Sequence, residues 1–133
     1  MTSGIGSLAS AIQPELWVDD PRAALAFYGA AFGATTLHVV GSGNDLVAQL
    51  AAGDAVFWIA PVSATLGRLS PRALGGATSR TLLVVDDPET VVQRAVLAGA
   101  ELTAPVGDEH GWRVGRIVDP FGHEWEIGKP PRS

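Results

Sequence analysis

A chain of 133 residues, 47% of them hydrophobic, is long enough to bury a self-supporting core and too apolar for intrinsic disorder. It holds no cysteine, which removes disulfides, thiolate–zinc sites and thiol nucleophiles, and suits a reducing compartment. The net charge of −5 comes without a basic stripe, so nucleic acid is not an expected partner, and no apolar run of about eighteen residues offers a transmembrane span.

Residues 1–11 lack the basic and long apolar regions of a signal peptide and read as a flexible leader, which makes the cytoplasm the expected location. Residues 13–18 read as a strand. Asp20-Pro21 then opens a helix, Asp as N-cap and Pro at a position that needs no N–H donor. Ala24, Phe27, Tyr28 and Ala31 form its apolar stripe, and Gly33 suits the left-handed stop. Strands are expected at 36–40, 46–50 and 55–60, with turns at 41–44 and at Gly53-Asp54. The Gly-, Pro- and Ser-rich stretch 61–79 reads as a linker with a helical turn near Ser70-Pro71.

The same plan then recurs. Leu16-Trp17-Val18-Asp19-Asp20-Pro21 is echoed by Val84-Val85-Asp86-Asp87-Pro88, offset by 67 residues from Val18 to Val85. A repeat of that period is a duplicated supersecondary module rather than a solenoid. A strand at 81–85, a helix from Asp87-Pro88 to about Ala98 with Val91, Val92, Ala95 and Val96 inward, and strands at 101–104, 112–118 and 124–127 follow. The domain plan is a leader 1–11 and one domain 12–130, made of module one (12–60), the linker (61–79) and module two (80–130).

Strand alternation sorts the side chains. Gln13, Glu15 and Trp17 share one face of the first strand, while Leu16 and Val18 point to the core. Trp58 falls on the first kind of face, as do Arg80, Leu82 and Val84 in module two, and Glu124 and Glu126 in the last strand. Trp125 points to the core. Trp112 opens a strand beside His110-Gly111 and rims the same surface. His123 is expected to bond backbone near its turn. No nucleophile elbow, phosphate loop or dinucleotide fingerprint occurs.

The paired β-α-β-β-β modules, the Val-Asp-Asp-Pro helix starts and the stretch Gly115-Arg-Ile-Val-Asp-Pro-Phe-Gly-His-Glu-Trp-Glu-Ile resemble the vicinal oxygen chelate superfamily of glyoxalases, bleomycin-resistance proteins and extradiol dioxygenases. The resemblance spans about residues 12–130. It implies an α+β fold: two paired βαβββ modules forming a cupped, U-shaped mixed sheet with helices on the outer face, and a homodimer as the usual state. It also implies four metal-ligand positions, which fall here on Gln13, Trp58, Arg80 and Glu126. Only Gln13 and Glu126 could ligate; an indole cannot, and a guanidinium repels a cation. Zinc, nickel, manganese or iron needs about three donors at fixed geometry. Arg80 is instead expected to pair with Glu126.

The expectation is therefore a small-molecule binding protein without a metal cofactor. Gln13, Glu15, Trp17, Trp58, Arg80, Trp112 and Glu126 would line an inter-module cup that holds an aromatic or hydrophobic ligand. The alternative is a divalent-metal-dependent lyase, isomerase or dioxygenase of the glyoxalase type. Metal-free acid–base catalysis by Glu126, or a scaffold whose tryptophans serve only the dimer, also stay open at this stage.

Overall fold

A computed structural model describes residues 9–132, so most of the leader expected at 1–11 lies outside the described residues. Module one runs β1 (Glu15–Val18), α1 (Pro21–Phe32), β2 (Thr35–Val40), β3 (Val47–Ala52) and β4 (Ala55–Pro61). Module two runs β5 (Arg80–Val84), α3 (Pro88–Leu97), β6 (Glu101–Glu109), β7 (Trp112–Val118) and β8 (Glu124–Lys129). Between them the linker carries α2 (Pro71–Leu74), capped by the Ser70 hydroxyl, which accepts from the Ala73 N–H. The fold is α+β, built from paired βαβββ modules as the sequence implies. Among the described residues no helix is long and apolar enough to cross a membrane.

The helix starts follow from local chemistry. Asp20 accepts from the Ala23 N–H at 3.1 Å, and Asp87 accepts from the Thr90 N–H at 3.2 Å and its hydroxyl at 2.6 Å. Those Thr90 bonds hold the Asp87 carboxyl below its usual range. Gly33, at φ +66°, takes the left-handed turn that ends α1.

The sheets are two, each of four strands, in the orders β1-β4-β3-β2 and β5-β8-β7-β6. In each, the first strand lies parallel to the last and the other pairings are antiparallel. The registers match as well: Glu15 pairs Trp58 in the first sheet and Leu82 pairs Glu126 in the second. Glu15 and Leu82 are 67 residues apart, so the duplication seen in sequence is a structural one, and Trp58 and Glu126 occupy equivalent places.

One core serves both modules. Leu16, Val18, Leu50, Phe57 and Ile59 of the first sheet join Leu83, Ile117, Trp125 and Ile127 of the second in a single buried cluster with the inner faces of α1 and α3. Phe57 and Trp125 touch directly, ring centroids 5.7 Å apart, and Phe32 of α1 lies 4.8 Å from Trp125. A buried carboxylate stitches this junction. Asp119 is 1% exposed; its Oδ1 accepts from the N–H groups of Phe121 and His123, both at 2.9 Å. Its Oδ2 accepts from the Trp125 indole at 3.0 Å and from the phenol of Tyr28, on α1 of the other module. Burying a charge is tolerable only with partners of this kind.

Some expected boundaries shift. β6 continues to Glu109 rather than stopping at 104, because Pro105 sits on an edge strand where a missing N–H breaks no required bond. The register slips around Ala104 accommodate it. Val96 is 41% exposed, not inward: the buried stripe of α3 is Pro88, Val92 and Ala95. The expected turn at 41–44 is a short 3-10 turn at Gly43–Asp45.

Candidate functional site

Each sheet turns one face to α1, α3 and the shared core, and the other away from them. Alternation puts the expected site residues on these outer faces, as two groups, one per module.

On sheet one, the Gln13 amide oxygen is the hub. It accepts from the Trp58 indole N–H at 2.9 Å and from the Gln49 amide at 3.2 Å. Gln49 and Glu15 are the cross-strand partners of Trp58, so the three strands deliver this cluster in one row. The tether fixes the indole plane and uses its only polar atom. Trp17 donates its indole N–H to Glu15 Oε2 at 2.9 Å. Trp17 then turns to a recess of about 210 Å³ shared with Leu69 and Leu74 of the linker and with His123, a recess of which Trp58 is not part. His123 bonds backbone as expected, but across the modules, at 2.8 Å from the Trp17 carbonyl.

On sheet two, charge dominates. Glu126 Oε2 takes the Arg116 Nε–H at 2.9 Å and lies 3.3 Å from Arg80 Nη2. The expected Arg80–Glu126 pair is therefore present, reinforced by a second guanidinium. Arg116 also grips Glu109 with both terminal nitrogens, at 2.9 and 2.8 Å. This bidentate bond holds the Glu109 carboxyl below its ordinary range and pushes the Arg116 guanidinium up. Beside the network lies a recess of about 200 Å³ lined by Leu82, Trp112, Val114, Glu126, Arg116 and His110. Gly128 makes room for it: a Cβ there would meet Leu82 Cδ1 and Trp112 Cε3 at 3.3 Å.

Arg116 and Gln49 are functional-face residues that the sequence reading passed over. Both carried a signal. Each is a polar side chain between apolar or glycine neighbours in a strand, in phase with the residues already placed on the free face.

The four positions implied for a metal do not suit one. Trp58 has no lone pair to offer, Arg80 is a permanent cation, and the Glu126 carboxylate is already neutralised by two guanidinium groups. Among the described residues no three His, Cys, Asp or Glu side chains gather as a ligand set.

Comparison with known proteins places this geometry. Residues 5–127 match the family model described as Glyoxalase/Bleomycin resistance protein/Dioxygenase superfamily. An uncharacterised protein of Mycobacterium tuberculosis is 37% identical over 129 residues, covering 92% of this chain and 76% of its own length. Among solved structures, a gene product of Arabidopsis thaliana is 26% identical, with TM-score 0.69 over 92% of this chain and all of its own. The fosfomycin resistance protein FosX of Listeria monocytogenes, solved with Mn(II) as an E126Q mutant in its own numbering, has TM-score 0.71 at 15% identity, over 93% and 92% of the two chains. That likeness is one of fold.

Proposed function

The chain belongs to the glyoxalase/bleomycin resistance protein/dioxygenase superfamily, and from that premise we propose that it is a metal-independent binding protein for a small aromatic or hydrophobic molecule. The observation that carries the reading is the internal pairing at the implied ligand positions. Gln13 is engaged by Trp58 and Gln49, and Glu126 by Arg80 and Arg116. An ion would have to displace two guanidinium groups to reach Glu126, and would find an indole at the next corner.

What these faces offer instead is recognition of a flat, apolar body. Trp58 supplies a broad rigid surface whose orientation is fixed before any ligand arrives, so stacking on it carries little ordering cost. Leu82, Trp112 and Val114 add an apolar recess. Arg80 keeps guanidinium N–H donors beyond its one ion pair, which suits a carboxylate, phenolate or carbonyl on the ligand rim. The same reading takes the protein as a cytoplasmic homodimer, in keeping with its lack of cysteine and with the family's habit.

The test is a titration of tryptophan fluorescence with a panel of planar aromatic compounds, alongside elemental analysis of the purified protein. Saturable quenching that Trp58→Ala weakens at least tenfold, about 1.4 kcal/mol, supports the reading. Stoichiometric divalent metal that is lost in Glu126→Gln would overturn it in favour of a metal-dependent lyase, isomerase or dioxygenase.

A further inference from the structure

A third and larger recess, of about 340 Å³, lies at the seam of the two modules. Its walls are residues 11–14 ahead of β1, the first residues of β4, and β5, which ends the second sheet. Its floor is the shared core: the buried Phe57, Leu83 and Trp125 each show it an edge. Gln13 and Leu82 stand where it borders the outer faces, but Trp58, Arg80, Arg116 and Glu126 do not line it. It is therefore a different place from the two groups described above.

The duplication supplies a comparison. The recess that Trp17 enters is the matching place on the other side of the seam, where residues 76–79 ahead of β5 form the equivalent wall. There Leu69, Pro71 and Leu74 of the linker add an apolar wall, and His123 reaches across to the Trp17 carbonyl. Aligned by strand register, the place of His123 falls on Ala55, whose methyl makes no such bond. The larger recess thus has an apolar mouth, and beside it Ile12 stands 96% exposed, a surface that a bound apolar body would cover.

Asp54, on the turn between β3 and β4, is the only charged residue in the lining. Among the described residues it has no cationic partner, since every ion pair lies elsewhere. We propose that this recess binds a small apolar amine, its hydrocarbon body on Phe57, Leu83 and Trp125 and its ammonium group at the Asp54 carboxylate. Its volume is at the small end of ligand pockets, which run about 300–1,000 Å³. An ammonium group brings three donors and no acceptor, which suits a lone carboxylate. Asp54 is exposed, so the head group keeps water and the pairing escapes the cost of a buried charge. The net charge of −5 also draws cations rather than anions to the surface.

The test is an NMR titration of the full chain with phenylbutylamine, phenylbutanol and phenylbutanoate, which share a body and differ in charge. The amine should give saturable shifts at the Leu82 and Leu83 amides and at the Trp125 indole N–H. The alcohol should bind about fivefold more weakly, the factor an exposed ion pair allows, and the acid more weakly still. Added salt should narrow that gap. Asp54→Asn should bring the amine down to the affinity of the alcohol, and Ala55→Phe, which puts bulk into the mouth, should weaken all three. No saturable shift at these signals with any of the compounds would overturn the proposal. So would equal binding of amine and alcohol, or an amine preference that survives in Asp54→Asn. Trp58→Ala should leave amine binding unchanged; its loss there would move the amine to the outer face of module one and overturn the separate site. The planar compounds that test the outer faces are read through Trp58, so either proposal can fail without the other.

Discussion

Tyr28→Phe removes one oxygen from the junction of the two modules and nothing else. The ring keeps its place: it is fully buried, 5.2 Å from Phe57 and 5.8 Å from Trp125 by centroid. What is lost is one of four hydrogen bonds to the buried Asp119 carboxylate; the Phe121 N–H, the His123 N–H and the Trp125 indole remain. A bond to a charged acceptor contributes about 1.5–3 kcal/mol, and with three donors left the loss should fall near 2 kcal/mol. In urea, with a slope of about 2 kcal/mol/M, the midpoint should drop by about 1 M with the slope unchanged. The pH dependence gives an independent check, since Tyr28 is the chain's single tyrosine. Burial first, and then the Asp119 charge, raise its pKa well above the ordinary value of 10.0. The unfolded chain gives up the phenol proton near pH 10 while the folded one keeps it. Above that pH the unfolded state binds fewer protons, so stability falls as pH rises, by up to about 1.4 kcal/mol per pH unit. The Phe variant has no such term. A midpoint drop under about 0.25 M, or wild-type and variant curves that fall in parallel above pH 10, would refute this account of the junction.

Other substitutions probe the elements that support the site. Asp20→Ala removes the α1 cap and should cost about 1 kcal/mol, read as a drop of about 4 °C in Tm; an unchanged Tm would show that the cap adds nothing. Gly115→Ala would set a Cβ 2.8 Å from Val106 Cγ2 and 3.3 Å from the Ala104 oxygen, forcing β6 and β7 apart. A loss of about 1–3 kcal/mol in urea unfolding is expected, and wild-type stability would mean that the β6 bulge yields freely. Arg116→Gln frees Glu109 from its bidentate partner, so a carbon NMR titration should find the Glu109 carboxyl moving up toward its ordinary range; an unmoved midpoint would remove Arg116 as the cause of its depression.

What was legible in the sequence is what local chemistry decides. Asp-Pro marks both helix starts because a cap bond spans only four consecutive residues, and alternation places Leu16, Val18 and Trp125 in the core because a strand repeats every two. The Arg80–Glu126 pair follows from the ligand positions that the family resemblance implies, where a guanidinium and a carboxylate fall on neighbouring corners. The rest depends on partners far apart in the chain. Tyr28 reads as one more apolar stripe residue until its partner, 91 residues away, is brought against it. Pro105 and Gly107 read as strand breakers, yet at a sheet edge they only loosen the register. Gln49 and Arg116 carried only the signal of alternation; their partners, Gln13 and Glu126, became visible when the strands were aligned.

The single aromatic interior has a consequence for the molecule's divisibility. Severed anywhere in residues 61–79, the chain yields two polypeptides with matching architecture, yet each takes away only half of the packing around Trp125. Neither fragment is a domain in its own right. Co-expressed, they should find each other, because for both the cheapest way out of water is the other's exposed rings.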